Sequence, residues 1–563
     1  MASVEERMVE ENKELVTDII QKYELLMSDR GQWNTTLEEI RDYIYPDTRS
    51  FTEGSESGSN RGERIRVNIY DGTAERSHQD LVGNVISGLM NPGAVWFQFG
   101  STDPNLSKDK VVQRHYEEAT SAVMDILFDP DSNFYSSADN AMYECTAFGM
   151  GITNRVVRGK KVYFKHVNLA DALFEENELG VVDSMYRNML LTAGQILKMF
   201  PGLEKSNPDV YLRFKGLANN SNDRYSVLHA VFPREDRGDL IGPKGMPWAS
   251  VYVLREGEQQ LHESSFLDES GYESFPFYTG RWKKIHGVES LGRGVGWSAL
   301  RDVRVLNKMV KTNLEAGELV VRPPLQAPRQ SFQKQVNLGP NAMNYYKATA
   351  ANPSPKAEPL NTVGNLPIGL EMENQRRGMI RAHFLADLLQ ETKTAEMTST
   401  EVAQNKEERL VKMAPQMANI ITGYLNPLLK DMYRHVVSKG IIDQPAVLKG
   451  KELSLTYNTP LVRALKNSDI VAIQRYLNGI SQLAQFDPSI GKAPDVFELA
   501  DEIRKTENLP ASIQRDKKQV EDEILAERKA EADRQRMETV KTASEAGLNV
   551  AKIQESGVDL SGL

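Results

Sequence analysis

The chain contains 563 residues, which is more than one hydrophobic core supports and predicts about three to four domains at roughly 150 residues each. Hydrophobic residues make up 40% of the sequence, which is enough to build real cores. The 68 basic residues are outnumbered by 78 acidic residues, and the net charge of −10 argues against a general affinity for polyanions.

Residues 1–293 are predicted to form a mixed α+β body. Apolar residues at helical spacing predict a first helix over 1–46, which Pro46 ends, and the acidic N-terminus lacks the basic and apolar parts of a signal peptide. The single cysteine, Cys145, excludes an intrachain disulfide, fits a reducing compartment and is expected to be a small buried hydrophobe. Further helices are predicted over 72–92, 108–128 and 133–147, and strands over 95–99, 152–167, 181–191 and within 224–282.

Two helices separated by a proline-rich insert follow this body. Apolar residues at 297, 300, 303, 306, 310 and 314 predict a helix over 294–321, and Arg322-Pro-Pro324 ends it. Eight prolines between 322 and 367 predict a small module of loops and strands. Helical residues return over 368–390, so the two helices flank the insert as the legs of a hairpin would.

A third helix is predicted to start at the capping box Thr398-Ser-Thr-Glu401 and to bend at Pro415 and Pro427 before Gly440. It contains the longest charge-free run, 413–429, which falls short of the roughly 20 apolar residues that span a membrane, so we expect a soluble protein. A short strand is predicted over 453–457. Helices are predicted over 467–486, 494–507 and 511–546; the last is so polar that it is solvent-exposed or lines an assembly, with coiled-coil pairing as the rival.

Charge is unevenly distributed along the chain. Between 281 and 347, 12 Lys and Arg residues face four acidic residues, a local net charge of +8. A solvated face and a patch that binds a partner explain this excess equally well.

The motifs that usually indicate chemistry are incomplete. Gly287–Gly294 has the glycine spacing of a phosphate loop, but Arg293 replaces the lysine and Gly294 replaces the hydroxyl residue. Gly296-Trp-Ser-Ala-Leu300 lacks the final glycine of a nucleophile elbow, and Asp129–Asn140 lacks the glycine and glutamate of a calcium loop. The eight histidines show no metal-ligand spacing. We therefore expect no active site, no cofactor and no metal.

Several short motifs, taken together, resemble the portal proteins of short-tailed bacteriophages, which connect the head to the tail. The resemblance covers about residues 30–440. Leu291 and Gly294 depart from the family pattern. The motifs that carry the resemblance are Tyr43-Ile-Tyr-Pro46, Tyr70-Asp-Gly-Thr-Ala74, Ser87–Pro92 with Trp96-Phe97, Ala147-Phe-Gly149, Arg281-Trp282 with Glu289–Gly294, Ala299–Met309, Arg322-Pro-Pro324 and Met397–Val402.

This resemblance implies a mainly α protein with an α+β part, assembled as a cyclic ring of twelve at one capsid vertex of the virion after assembly in the host cytoplasm. Double-stranded DNA would pass through the ring during packaging and ejection. The implied partners are the packaging motor (terminase), a tail adaptor and capsid or scaffold proteins, with no membrane. The implied regions are a wing over 1–293, stem helices over 294–321 and 368–390, a clip over 322–367, a channel loop, long wing helix and return strand over 391–465, and a helical crown over 466–563.

Two other functions remain open at this stage. One is a tail or capsid adaptor without a DNA channel, and the other is an enzyme of DNA packaging. An image of the purified protein as a ring with a central hole would favour the portal, whereas nucleotide hydrolysis by the isolated chain would favour the enzyme.

In the resembling family the second stem helix faces the channel, which makes Arg376, Arg377, Arg381 and Lys393 the candidates for contact with DNA. Arg377 and Arg381 are four residues apart and share a face that is expected to continue through Phe384 and Leu388. A few sparse cations could guide the phosphate backbone without arresting it. The alternative is that these arginines pair with carboxylates of the adjacent subunit and stabilise the ring.

Overall fold

The protein is described by a computed structural model, which divides the chain into two compact units, Met1–Ala464 and Leu465–Leu563. The first unit is a mixed helix-and-sheet structure. The residues that the structure describes are 4–51, 69–103, 105–106, 109–218, 223–234, 242–255, 266–284, 291–328, 337, 339–346, 358–359, 366–386, 413–459, 475–482, 499 and 517–555.

The first unit begins with a long helix and a helical layer. These elements are α1 (Val4–Ile44), α2 (Thr73–Leu89), β1 (Phe97–Ser101), α3 (Lys110–Phe128) and α4 (Phe134–Ala147). The side chain of Asp109 caps α3 by accepting a hydrogen bond from the Val111 amide, which satisfies one of the free N–H groups of the first turn. Alternating residues then form β2 (Met150–Arg158), β3 (Lys161–Val167), β4 (Ala172–Glu176) and β5 (Val182–Thr192).

A five-stranded antiparallel sheet is covered on both faces. Its order is β4-β5-β6-β7-β8, with β6 at Arg224–Pro233, β7 at Trp248–Arg255 and β8 at Phe266–Tyr272. Because neighbouring residues of a strand point to opposite faces, Leu228 packs under α1 while Val227 packs under three short helices. Those helices, to which the sequence patterns assigned no element, are α5 (Ala193–Met199), α6 (Leu203–Ser206) and α7 (Pro208–Leu217).

The largest hydrophobic core joins the helical layer to two smaller sheets. One is the sheet β3-β2-β9, with β9 at Phe277–Arg281. The other pairs β1 with β13 (Leu453–Tyr457) in antiparallel register, Phe97 opposite Tyr457. The predicted strand at 453–457 therefore returns to the N-terminal part of the chain, but it pairs with β1 and not with the five-stranded sheet.

An irregular helix crosses β9. It consists of α10 (Ala414–Ile420), a π-helical segment (Ile421–Leu425) and α11 (Asn426–Ser438). The hydroxyls of Tyr424 and Thr153 lie 2.7 Å apart, which ties the π segment to β2. Pro415 and Pro427, where bends were predicted, each stand in the first turn of a helical segment, and the irregularity between them is the π segment. The capping box at 398–401 lies outside the described residues.

A buried charge cluster fastens α11 to the same strands. Asp431 is 4% exposed, and its Oδ2 lies 2.8 Å from a guanidinium nitrogen of Arg155. The hydroxyls of Ser274 and Tyr278 also donate to this carboxylate. A buried carboxylate is costly unless it is paired and fully hydrogen-bonded, and here each oxygen accepts from a donor.

The two helices of the predicted hairpin are α8 (Val295–Val321) and α9 (Leu366–His383). Between them lies a small sheet of order β11-β10-β12, formed by Leu325–Pro328 (β10), Met343–Tyr346 (β11) and Glu358–Pro359 (β12). The helix predicted over 368–390 begins two residues earlier and ends at His383; residues 387–390 of that prediction lie outside the described residues. It ends there because Leu385 adopts a φ of 56°, in the left-handed region, and Phe384 packs into the core.

The second unit contains a long C-terminal helix, α12 (Lys517–Glu555), and a helical stretch over 475–482. The described side chains of α12 from 522 to 544 are all exposed within the single chain. At 1.5 Å per residue this helix is about 58 Å long. Apart from Leu499, which is helical, the predicted helix over 494–507 lies outside the described residues, as does the first part of the one over 511–546.

Candidate functional site at the helical hairpin

The root of α8 is held by close backbone contacts at glycines. A Cβ atom added to Gly294 or Gly296 would lie 2.5 Å from the carbonyl oxygen of Ala147, and one added to Gly292 would lie 2.3 Å from the carbonyl oxygen of Gly149. Gly292 and Gly294, which belong to the phosphate-loop pattern, therefore permit a tight crossing over the end of α4. This contact accounts for these two glycines without a nucleotide; Gly287 lies outside the described residues.

Aromatic and cationic side chains surround the same root. The Arg293 guanidinium lies 3.9 Å from the ring centre of Trp297 and 4.5 Å from that of Trp33. The indole of Trp297 donates a 2.7 Å hydrogen bond to the carbonyl oxygen of Phe148. Cation–π contacts and this hydrogen bond join α1, α4 and α8 into one rigid base.

The two hairpin helices contact each other through a buried polar group. Glu373 on α9 is 3% exposed and accepts a 2.6 Å hydrogen bond from the Asn313 side chain of α8. A Cβ atom added to Gly369 would lie 2.7 Å from Asn313 Oδ1, so the helices approach closely at this point. The Asn313–Glu373 pair therefore sets the position of α9 along α8.

Two of the four predicted channel cations are engaged by carboxylates of their own chain. Arg376 forms an ion pair with Asp302 on α8. Arg377 lies 2.9 Å from Asp71, in the segment before α2, and 3.0 Å from Glu373. Burial raises the pKa of Asp71, but hydrogen bonds from Thr73 and Arg377 outweigh burial and hold it below its ordinary value. These contacts make Arg376 and Arg377 part of the packing between α2, α8 and α9.

The other two predicted cations have different surroundings. Arg381 is exposed and has no ion pair within the part of the chain that the structure describes. Lys393 lies outside the described residues, as does Leu388. The face shared by Arg377 and Arg381 does not continue along a helix through Phe384, because Phe384 is fully buried with its ring 5.9 Å from that of His78.

The C-terminal end of α9 is thus anchored in an apolar environment. Burial lowers the pKa of His78 to about 4, so this imidazole is neutral at physiological pH. Its Nε2 atom lies 2.8 Å from the Thr146 hydroxyl, which supplies the hydrogen bond that a buried ring nitrogen needs. In the sequence, the only indication of this anchor is one apolar residue, Phe384, near the end of α9.

The distal half of the hairpin is exposed and apolar. On α8 the exposed side chains include Leu314 and Val321, and on α9 they include Ile368 and Met372, each more than half exposed. Ile368, Met372 and Met379 fall at i, i+4 and i+11, which places them on one side of α9. Several large apolar side chains exposed on one pair of helices favour an interaction site.

Three further features of the described residues concern metal ligands, the single cysteine and helix hydropathy. They contain no cluster of three or more His, Cys, Asp or Glu residues able to hold a metal ion. Cys145 is fully buried, as predicted, and burial raises the pKa of its thiol to about 12. Within the described residues, no helix combines the length and apolar character needed to cross a membrane.

Comparison with known proteins identifies the class to which this chain belongs. The profile of the family described as "Bacteriophage head to tail connecting protein" matches residues 16–514, and the chain is a member of that family. Within it, the chain is similar to the "Probable portal protein" of Bordetella phage BPP-1, with 26% identity over 496 residues and 86% of each chain covered. It is also similar to the "Portal protein" of Salmonella phage epsilon15, with 24% identity over 501 residues, 87% of this chain and 86% of the relative.

Proposed function

We propose that this head-to-tail connector works as a phage portal, a closed ring at one vertex of the capsid through which DNA is packaged and later ejected and onto which the tail is built. Membership of the connector family and similarity to two portal proteins support this function. Twelve subunits is the number that the family resemblance implies.

The observation that carries the ring is the apolar distal half of the hairpin. Burying one Ile, Leu or Met side chain contributes about 1.5–3 kcal/mol, and several such side chains lie exposed in the single chain. Contact between the hairpins of neighbouring copies would remove these side chains from water. In a head-to-tail arrangement two different surfaces meet at each interface, and rotation closes the ring.

Four further assignments belong to the same proposal. The α+β body at 1–293 is the wing, and α8 and α9 are the stem. Residues 322–367 are the clip that docks the packaging motor and then the tail adaptor, and 466–563 are the crown. The small sheet β11-β10-β12 supports the clip assignment, since it joins the distal ends of the two stem helices and so projects away from the body.

Sparse cations would guide the DNA backbone through the channel. Arg381 and Lys393 are the proposed contacts, because the guanidinium groups of Arg376 and Arg377 are already engaged by carboxylates. A small number of phosphate contacts suits passage of DNA, since each added contact strengthens salt-dependent binding.

The test is assembly of the purified chain with the distal surface altered. Wild-type protein is expected to sediment as a ring and to appear in negative-stain images with a central hole. Ile368→Glu combined with Met372→Glu should leave a folded monomer with an unchanged far-UV circular dichroism spectrum. Leu212→Glu on α7 is the matched control, since Leu212 is 65% exposed on a different part of the molecule.

The outcomes separate the candidate functions. Rings formed by the wild type and the control but not by the double variant support the proposal. A solid wild-type assembly without a hole would favour an adaptor without a DNA channel. Wild-type protein that remains monomeric or forms only isologous dimers at micromolar concentration would contradict the portal ring.

A further inference from the structure

One exposed side of α8 carries a row of cations. Arg301, Arg304, Lys308 and Lys311 are all exposed and follow one another at i, i+3, i+7 and i+10. At about 100° per residue they fall within an arc of about 80°, on the side away from the buried residues of the helix. We call these four residues the basic stripe; they are four of the twelve Lys and Arg residues at 281–347.

The exposed side of α1 carries the opposite charge. Glu14, Asp18, Glu24 and Asp29 are exposed and fall within an arc of about 140°. The opposite side of α1, with Val16, Ile19, Ile20 and Tyr23, packs on the five-stranded sheet. We call the four carboxylates the acidic stripe; none of them has an ion-pair partner within the described part of the chain.

We propose that the basic stripe of one copy docks on the acidic stripe of the next copy in the ring. This inference rests on the proposed function, because it needs a ring whose neighbours meet through two different surfaces. At 1.5 Å per residue the basic stripe is about 15 Å long and the acidic stripe about 22 Å, so the shorter row fits within the longer one. The docking adds a salt-sensitive contact to the apolar contact between hairpins and selects the partner surface.

A second copy is favoured over DNA as the occupant of the basic stripe. Arg304 already lies 3.1 Å from Glu39, near the C-terminal end of α1 of the same chain, so carboxylates of α1 reach these cations. Arg301 and Lys308 have no ion-pair partner in the described residues, which leaves their charges available to a neighbour. Because each copy has a net charge of −10, another copy attracts the basic stripe, whereas the protein as a whole repels a polyanion such as DNA.

Charge reversal of the basic stripe tests the docking. In Arg301→Glu with Lys308→Glu, the protein concentration at half-assembly should rise about tenfold or more at 0.1 M salt, because the stripe loses its net positive charge and with it the attraction at each interface. At 1 M salt, where the Debye length falls from about 10 Å to about 3 Å, the variant and the wild type should converge. Lys449→Glu with Lys451→Glu, at two exposed lysines before β13, is the matched control and should assemble as the wild type does.

A compensating variant identifies the partner surface. Adding Asp18→Lys and Glu24→Lys to the variant should restore assembly, since the two reversed positions of each stripe are then again opposite in charge to those of the other stripe. In the wild type, carbodiimide cross-linking of a mixture of unlabelled and heavy-isotope-labelled copies should link Lys308 of one copy to Glu24 or Asp29 of another. Thermal unfolding of each monomer checks that the fold is retained.

Three results would overturn the docking while leaving the portal ring intact. They are normal assembly of the reversed variant at low salt with unchanged affinity for double-stranded DNA, normal assembly with a lowered affinity for double-stranded DNA, which would make DNA the occupant, and failure of the compensating variant to recover. Failure of the wild type to form rings at all would instead reject the proposed function.

Discussion

The two ends of the helical hairpin differ in what surrounds them. At the base, α8 is buried against α1 and α4, and the side chains of Leu306 and Val303 are almost inaccessible to solvent. At the tip, Leu314 and Val321 on the same helix are mostly exposed. The periodicity of apolar residues runs through both ends, so the chain supplies apolar side chains over a length that its own fold covers only in part.

This difference separates two kinds of stability along one helix. Interactions at the base form when the single chain folds, whereas apolar side chains at the tip are stabilising only when another surface covers them. Substitutions at the base should therefore change the free energy of unfolding of the monomer. Substitutions at the tip should change assembly and leave the monomer almost unaffected.

The largest expected effect on monomer stability comes from truncating a leucine at the base, and a leucine at the tip provides the comparison. Leu306→Ala at the base should lower the free energy of unfolding by about 2–5 kcal/mol, because it removes a buried side chain and leaves a cavity. Leu314→Ala at the tip should change it by less than about 0.5 kcal/mol but raise the protein concentration needed for assembly. Urea unfolding of the monomer and sedimentation measure the two effects; equal losses of monomer stability would break the distinction between base and tip.

Glycines at the two ends offer a matched pair with opposite signs. Gly296→Ala should destabilise the monomer by about 1–3 kcal/mol, since the added methyl group would lie 2.5 Å from the Ala147 carbonyl oxygen. Gly317→Ala, where no atom lies within 4 Å of the added Cβ, should stabilise α8 by about 0.5–1 kcal/mol. Thermal midpoints of the two variants that move in the same direction would contradict the close contact at the base.

The ion pair between Asp71 and Arg377 predicts a smaller effect that depends on pH. Asp71→Asn keeps the acceptor for the Thr73 amide and removes the charge, which should cost about 0.5–1 kcal/mol at pH 7. Because the folded protein holds the pKa of Asp71 below 3.8, the contribution of this charge is fully present above that pH. It is lost as the pH falls through the lower folded value.

Urea unfolding of the wild type and Asp71→Asn at pH 7, 5 and 3 measures this dependence. The difference in free energy of unfolding between the two proteins should be constant between pH 7 and 5 and shrink at pH 3. A difference that stays the same at all three values would show that charge is not its source.

The smallest effect on the fold is expected at Arg381. Arg381→Glu should change the free energy of unfolding by less than about 0.5 kcal/mol and leave assembly intact, since this side chain is exposed and unpaired within the described residues. If it faces the channel, the amount of packaged or ejected DNA should fall, and Arg381→Lys should retain the wild-type amount. Arg434→Glu, at an exposed arginine of α11, is the control. Normal packaging by Arg381→Glu would remove the channel role.

The sequence predicted the elements whose causes are local. The bounds of α8 agree with 294–321 to within one residue, because regular apolar spacing and Arg322-Pro-Pro324 are both visible in the chain. The helices at 193–217 were missed although Thr192 and Gln195 form a capping box that could have indicated the first of them. They are short, so their apolar periodicity is weak.

Features made by distant residues could not be predicted in this way. Asp71 and Arg377 are 306 positions apart, and nothing in the local pattern of α9 indicates that this arginine has a partner. The end of α9 was placed too late because the residues after His383 favour a helix, whereas contact with His78 turns Phe384 inward. Of the three cations named from the sequence that the structure describes, only Arg381 retains an exposed charge without an ion-pair partner among the described residues; Lys393 lies outside them.

The π segment at Ile421–Leu425 has a consequence for comparing relatives of different length. One π turn accommodates a residue more than an α turn, so the residues after it keep the faces that they would have in a straight α-helix one residue shorter. The face of α11 that carries Asp431 to Arg155 is therefore reached through a turn that absorbs one extra residue. Deleting one residue of the π segment would convert it to an α turn and leave the carboxylate aimed at its partner. A relative that aligns with a one-residue gap at this point is therefore expected to have a regular α-helix here, with its acidic position still aligned to Asp431.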